Sequence, residues 1–194
     1  MGGPFQARRY QVLSSHIAGL LPHGASVLDV GCGNGHLSSL VRSARPDITI
    51  LGAEVISYPS PQIPTMLFDG RRLPCSAGAV DVVTLVDVLH HTCEPVAMLR
   101  EAARVARERI IIKDHLAVSA FDRALLALID WSGNALSGIP MPFSYWSREQ
   151  WREAFGWAGL RERSWTEDLP LYRGWAPWLV GRSLHFVAEV GKAR

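Results

Sequence analysis

The sequence predicts an α/β fold: one doubly wound, mostly parallel seven-stranded sheet with an antiparallel C-terminal edge strand. Three observations carry that prediction. Residues 26–55 read strand, glycine-rich turn, helix, strand, the signature of a parallel crossover unit. Val80 to Val86 is almost wholly apolar, as a strand covered on both faces must be. Two further strand-like runs close the chain, and the last of them, Leu184 to Val190, alternates as a hairpin partner would.

Each element follows from its own residues. Leu13, Ile17, Leu20 and Leu21 lie on one face of a helix over 5–21, which Pro22 and Gly24 stop. Ser26 to Val30 is a short strand running into glycines. Leu37, Leu40, Val41 and Ala44 recur at helical spacing up to Pro46, and Ile48 to Val55 is the second strand. The next crossover holds Pro59, Pro61 and Pro64, a density no helix interior tolerates, so a loop is expected there. Met66 to Phe68 gives the third strand and Val80 to Val86 the fourth. Pro95 opens a helix with Val96, Leu99, Ala103 and Ala106 expected inward. Arg109 to Lys113 carries the Ile triplet of a fifth strand. Two capping boxes follow: Ser119-x-x-Asp122 starts a helix to about Trp131, and Ser147-x-x-Gln150 starts one that Gly159 ends. Leu160 to Trp165 is the sixth strand.

Composition bounds the function. The 194 residues are 48% hydrophobic and 20% charged, which suits a single folded domain over 1–194 and excludes a disordered chain. A net charge of +2 removes the case for bulk binding to nucleic acid. Cys32, Cys75 and Cys93 are odd in number and form no CxxC pair, so neither a disulfide framework nor a thiolate zinc site is expected. The histidines show no helical i, i+4 spacing, so no metal is expected. No apolar run approaches the roughly 20 residues that span a bilayer, and the N-terminus lacks a signal-like apolar region, so a cytoplasmic location is expected. All seven tryptophans fall between Trp131 and Trp178, which sets the last third apart.

The chemistry is concentrated at the first turn, Asp29-Val30-Gly31-Cys32-Gly33-Asn34-Gly35. Three alternate glycines permit positive φ and close approach of a ligand to the backbone. Glu54, nineteen residues after Gly35 at the end of the second strand, is placed to accept two hydrogen bonds from a ribose diol. Dehydrogenases use a related GxGxxG loop over a pyrophosphate, whereas GxGxG preceded by a carboxylate suits an adenosine ligand that carries an ammonium group.

These residues, with Phe68-Asp69-Gly70 and Asp81-Val82-Val83-Thr84-Leu85-Val86-Asp87-Val88-Leu89-His90-His91, resemble the class I S-adenosylmethionine-dependent methyltransferases and their Rossmann-like fold. Within them the similarity is greatest to the type-11 group that includes ubiquinone and menaquinone methyltransferases. It is specific over residues 24–115. The resemblance implies S-adenosyl-L-methionine as cofactor, a cofactor half over 1–115 and a substrate-side half over 116–194. It implies that Gly31, Cys32, Gly33 and Gly35 line the methionine portion, with Asp29 near its ammonium group. Glu54 would hold the ribose, Asp69 and Gly70 the adenine, and the backbone of Asp87 and Val88 the methionine tail. The proline stretch departs from the family, which has a helix there.

Methyl transfer to a hydroxyl needs a base, and His91, His115 and Asp114 stand at the expected sheet edge as catalytic candidates, Asp114 as an orienting partner. His90 has a packing or capping reading, and His185 a structural or surface one. Asn134, Tyr145 and Trp146, in an aromatic stretch, are candidate contacts to a small, apolar or aromatic acceptor. Leu171 to Val180 reads as a cover over the sheet edge or a peripheral membrane contact. A monomer or a homodimer fits equally. Two other functions share this pattern: a non-catalytic S-adenosylmethionine-binding regulator and a nucleotide-dependent oxidoreductase.

Overall fold

The computed structural model describes residues 4–134, 142, 144–167, 169–171 and 184–193, with side chains for all of these but 4, 5 and 132–134. In chain order the elements are α1 (Pro4–Leu20), β1 (Ser26–Val30), α2 (His36–Ala44), β2 (Thr49–Glu54), β3 (Thr65–Leu67), β4 (Val80–Val86), α3 (Pro95–Val105), β5 (Ala106–His115), α4 (Ala120–Asn134), α5 (Arg148–Trp157), β6 (Leu160–Thr166) and β7 (His185–Lys192). A single 3-10 turn, Leu89–His91, follows β4.

The seven strands lie in the order β3-β2-β1-β4-β5-β7-β6. The first five are parallel, and β7 runs antiparallel to both β5 and β6. The expected antiparallel C-terminal strand is therefore present, but it lies one place in from the edge, and β6 forms the rim. A strand returning directly after β6 pairs with it and still finds the open side of β5. Between β1 and β4 the winding reverses, and ligands of open parallel sheets bind in the crevice beyond such a switch point.

Alternation puts β-strand side chains into two cores. On one face Leu28, Val83, Leu85, Ile110 and Ile112 pack with α3 and α5, around the fully buried Trp151 and Phe155. On the other Val27, Ile50, Val82, Ile111 and Val187 pack with Leu13 and Ile17 of α1 and Val41 of α2. The inward face of α3 consists of Pro95, Met98, Leu99, Ala102 and Val105. The expected Val96 and Ala103 are only half-buried, because Met98 and Val105 supply the larger apolar volume two residues along.

Two departures shape the site. No helix joins β2 to β3, as the prolines require; the segment is instead tied to the glycine turn and to β2 itself. Gln62 N–H donates to Asn34 O at 2.8 Å, and Gly52 N–H donates to Pro64 O at 2.8 Å. β5 extends beyond Lys113, so Asp114 and His115 are strand residues paired with Phe186 and His185 of β7, not part of a following loop. The capping box at Ser147 and Gln150 is present, and Gly159 takes φ +70° after α5.

Candidate functional site

A cleft of about 1230 Å³ opens at the switch point. One wall is the glycine turn, Glu54, Val55, Ile56, Tyr58, Phe68, Asp69 and Gly70. Gln6, Arg9, Tyr10 and Leu13 of α1 line it from another side, and His90, His91, His115, Asp130 and His185 gather at its other end.

The turn has the backbone its glycines foretell: Gly31, Gly33 and Gly35 have φ of +70°, +56° and +76°. A Cβ on Gly31 would lie 2.4 Å from Val88 Cγ2, and one on Gly35 would lie 2.6 Å from Ile63 Cγ1. At Gly33 only Tyr58 Oη, 3.9 Å away, stands within reach, so that backbone is bare toward the cleft. Gly31, Cys32 and Gly33 line the cleft; Gly35 lies behind it, packed on the proline segment. Cys32 Sγ sits 3.8 Å from Thr65 Oγ1, and burial pushes its thiol up to about 12, which keeps it protonated.

Asp29 is buried. It accepts from Ser38 Oγ at 2.6 Å and Thr84 Oγ1 at 2.7 Å, so it ties β1 to α2 and β4 from beneath the turn. Burial raises its carboxyl to about 6 against the two hydroxyl donors. Glu54 accepts from Gly33 N–H and Val55 N–H, both at 2.7 Å, one on each oxygen. Each oxygen keeps a lone pair, so the carboxylate is oriented yet still able to receive a diol. Asp69 is exposed and accepts from the backbones of Arg71 and Arg72 at 2.8 Å, which holds it below the ordinary carboxylate range. It therefore makes an Asx-type turn and lines the cleft as well.

At the far end the geometry revises the sequence reading. Asp114 Oδ1 lies 2.6 Å from His90 Nδ1 and 3.5 Å from His115 Nδ1, and Asp114 Oδ2 accepts from Leu89 N–H at 3.0 Å. The orienting carboxylate thus serves His90 first. His90 Nε2 is 3.5 Å from Asp130 Oδ2, which also accepts from Tyr145 Oη. Burial alone would lower His90, but Asp114, with Asp87 and Asp130, raises it above the ordinary value. His115 goes the other way: burial lowers it, Asp114 opposes, and Lys113 and His90 lower it further. His91 is half-buried on the cleft wall.

Of the acceptor candidates, Tyr145 is buried behind Asp130 and not on the cleft surface. Trp146, half-buried, packs on Trp151 with ring centroids 4.8 Å apart, against the edge of the core. The side chain of Asn134 lies outside the described residues, as do residues 172–183 of the tryptophan-rich stretch. Sequence reasoning missed Arg9, Lys113, Asp130 and His185. A lysine closing an otherwise apolar strand was the available signal for Lys113.

Two groups bring metal-type donors within 4.8 Å of one another: His90, Asp114 and His115, and His90, His91 and Asp130. The sheet edge, not a helix, collects them. In the first group the His90–Asp114 hydrogen bond already uses two of the three donor atoms.

The described residues include no helix long and apolar enough to cross a membrane. A family model described as "Methyltransferase domain" matches residues 5–164. The chain is 30% identical over 123 residues to the 27-O-demethylrifamycin SV methyltransferase of Amycolatopsis mediterranei, a match that covers 55% of this chain and 45% of that protein, less than half the relative's length. Among solved structures, the mitomycin 7-O-methyltransferase has a TM-score of 0.68 at 18% identity, covering 95% of this chain and 54% of that one. A SAM-dependent methyltransferase from Aquifex aeolicus gives 0.63 at 18% identity, covering 96% and 92%.

Proposed function

The chain belongs to the methyltransferase-domain family, and from that premise we propose that it methylates a hydroxyl of a small, apolar or aromatic acceptor at the cleft described above. S-adenosylmethionine, when bound, supplies an electrophilic methyl carried on a sulfonium. The residues present suit it: an oriented carboxylate at Glu54, a glycine backbone bare toward the cleft, and a volume above the usual range of ligand sites.

In this reading Glu54 receives the ribose hydroxyls on its remaining lone pairs. Val55, Ile56, Tyr58 and Phe68 give the adenine an apolar slot, with Asp69 at its amino group and the Gly70 backbone beside it. Gly31, Cys32 and Gly33, with the backbone of Asp87 and Val88, face the methionine part, and Gly35 shapes the turn. Asp29 acts from beneath, through the turn it anchors. Met98, Leu126 and Ile129 flank the acceptor.

Transfer forms a carbon–oxygen bond as the carbon–sulfur bond breaks, and the hydroxyl proton must leave. We assign that proton to His115. Burial and the neighbouring Lys113 keep this histidine neutral, and its Nδ1 is turned to the cluster, which leaves Nε2 for the acceptor. His90, raised by Asp114 and Asp130 against its burial, is biased toward its cation and places positive charge beside the base. Asp114 orients both rings, while His91 contributes to the wall. The similarity to a methyltransferase of an O-demethyl compound supports oxygen as the methylated atom.

The observation that carries the reading is one cleft holding both the Glu54–Gly33 arrangement and the histidine cluster. Its test is release of S-adenosylhomocysteine over a library of phenols and alcohols. Acceptor-dependent release that is lost in His115→Gln, with cofactor binding retained, supports it. Cofactor binding with no turnover on any acceptor would favour a regulatory protein instead.

A further inference from the structure

Lys113 enters the reaction above only through its charge beside His115, yet it is placed at great cost. It lies in β5 between Val86 of β4 and Val187 of β7, with no solvent exposure. An ammonium so enclosed is tolerated only when paired. Its partner is the Asp87 carboxylate, with His185 Nδ1 at 3.3 Å.

Asp87 is itself unusual. Among the described residues it is the one non-glycine with positive φ, +55°, a conformation that a residue with a Cβ keeps only when its surroundings enforce it. Lys113 grips it twice: the Lys113 carbonyl accepts Asp87 N–H at 2.8 Å, and the ammonium holds the carboxylate. The other carboxylate oxygen accepts from Arg9 of α1, which lines the same cleft. One residue on, Val88 is packed so closely on the glycine turn that no side chain fits at Gly31.

We propose that Lys113 is a positioning residue: through Asp87 it fixes the left-handed turn against the glycine loop and latches α1, by Arg9, across the cleft. The inference rests on the cofactor reading, since the turn it holds is the one assigned to the methionine part.

The test is calorimetric titration of S-adenosylmethionine into the parent protein, Lys113→Met, Arg9→Met and the double variant, with kcat and KM for each. Lys113→Met should weaken cofactor binding roughly tenfold or more, as removal of one partner of a buried charge pair does, while the acceptor KM changes little. Because both residues act through Asp87, the double variant should be no weaker than Lys113→Met. Parent-like affinity in Lys113→Met, or additive losses, would overturn the proposal. If Lys113→Met fails to fold by circular dichroism, Arg9→Met at the cleft rim decides alone, and unchanged affinity there overturns the latch. Absence of binding by the parent protein would instead sink the cofactor reading, and the inference with it.

Discussion

Two histidines with the same intrinsic chemistry become different groups here because of which carboxylates reach them. His90 sits between Asp114 and Asp130 and is raised; His115 is buried beside Lys113 and His90 and is lowered. A base works when neutral, so the lowered value puts the acid limb of kcat below the ordinary histidine value of about 6.5. His115→Gln should cut kcat by about 10² to 10⁴ while cofactor affinity holds, which single-turnover rates and titration would check. For His90 the sign is opposite. Its folded pKa is raised, so its stabilising contribution is complete below the unfolded value of about 6.5 and fades as pH rises through the folded one. His90→Gln leaves two buried carboxylates without their cation and should cost about 3–5 kcal/mol in urea unfolding at pH 6, and less at pH 9. The pair His90-His91 could not be resolved in the sequence. A 3-10 turn, pinned where Leu89 N–H meets Asp114, decides which ring faces inward.

The glycine turn shows how an element can be legible while its neighbours are not. Its three positive φ values follow from local steric rules, so the sequence displays them. The contacts that make them indispensable, Val88 against Gly31 and Ile63 against Gly35, come from distant segments. Gly31→Ala combines strain at φ +70° with a contact of 2.4 Å, and should weaken cofactor binding and lower stability by about 1–3 kcal/mol. Gly159→Ala is the control. It has the same φ, +70°, with nothing within 4 Å, so it should cost about 1 kcal/mol and leave affinity unchanged. Both are read by thermal unfolding with and without ligand. The strands were legible for a similar local reason, since Val80–Val86 and Ser26–Val30 carry their pattern in consecutive residues. The inward face of α3 was not, because Val96 and Met98 are equally apolar and only the facing sheet chooses between them.

At the scale of the molecule, the switch between β1 and β4 places the ends of five parallel strands around one cleft. The glycines and carboxylates that mark this half lie close together in sequence, so it could be read early. The histidine end depends on β7 returning beside β5, which sets His185 against His115, and on α4 bringing Asp130 to His90; neither pairing leaves a local trace. A ligand bound at such a junction ties both halves together. S-adenosylhomocysteine at a hundred times its Kd should add about 2.7 kcal/mol, a rise in Tm of roughly 5–10 °C for a domain of this size. The most direct test is calorimetric titration of S-adenosylmethionine into the parent protein and into Glu54→Gln. The account predicts one site per chain, with affinity falling about tenfold or more when the oriented carboxylate is lost. No binding by the parent protein, or equal affinity in the two, would contradict it.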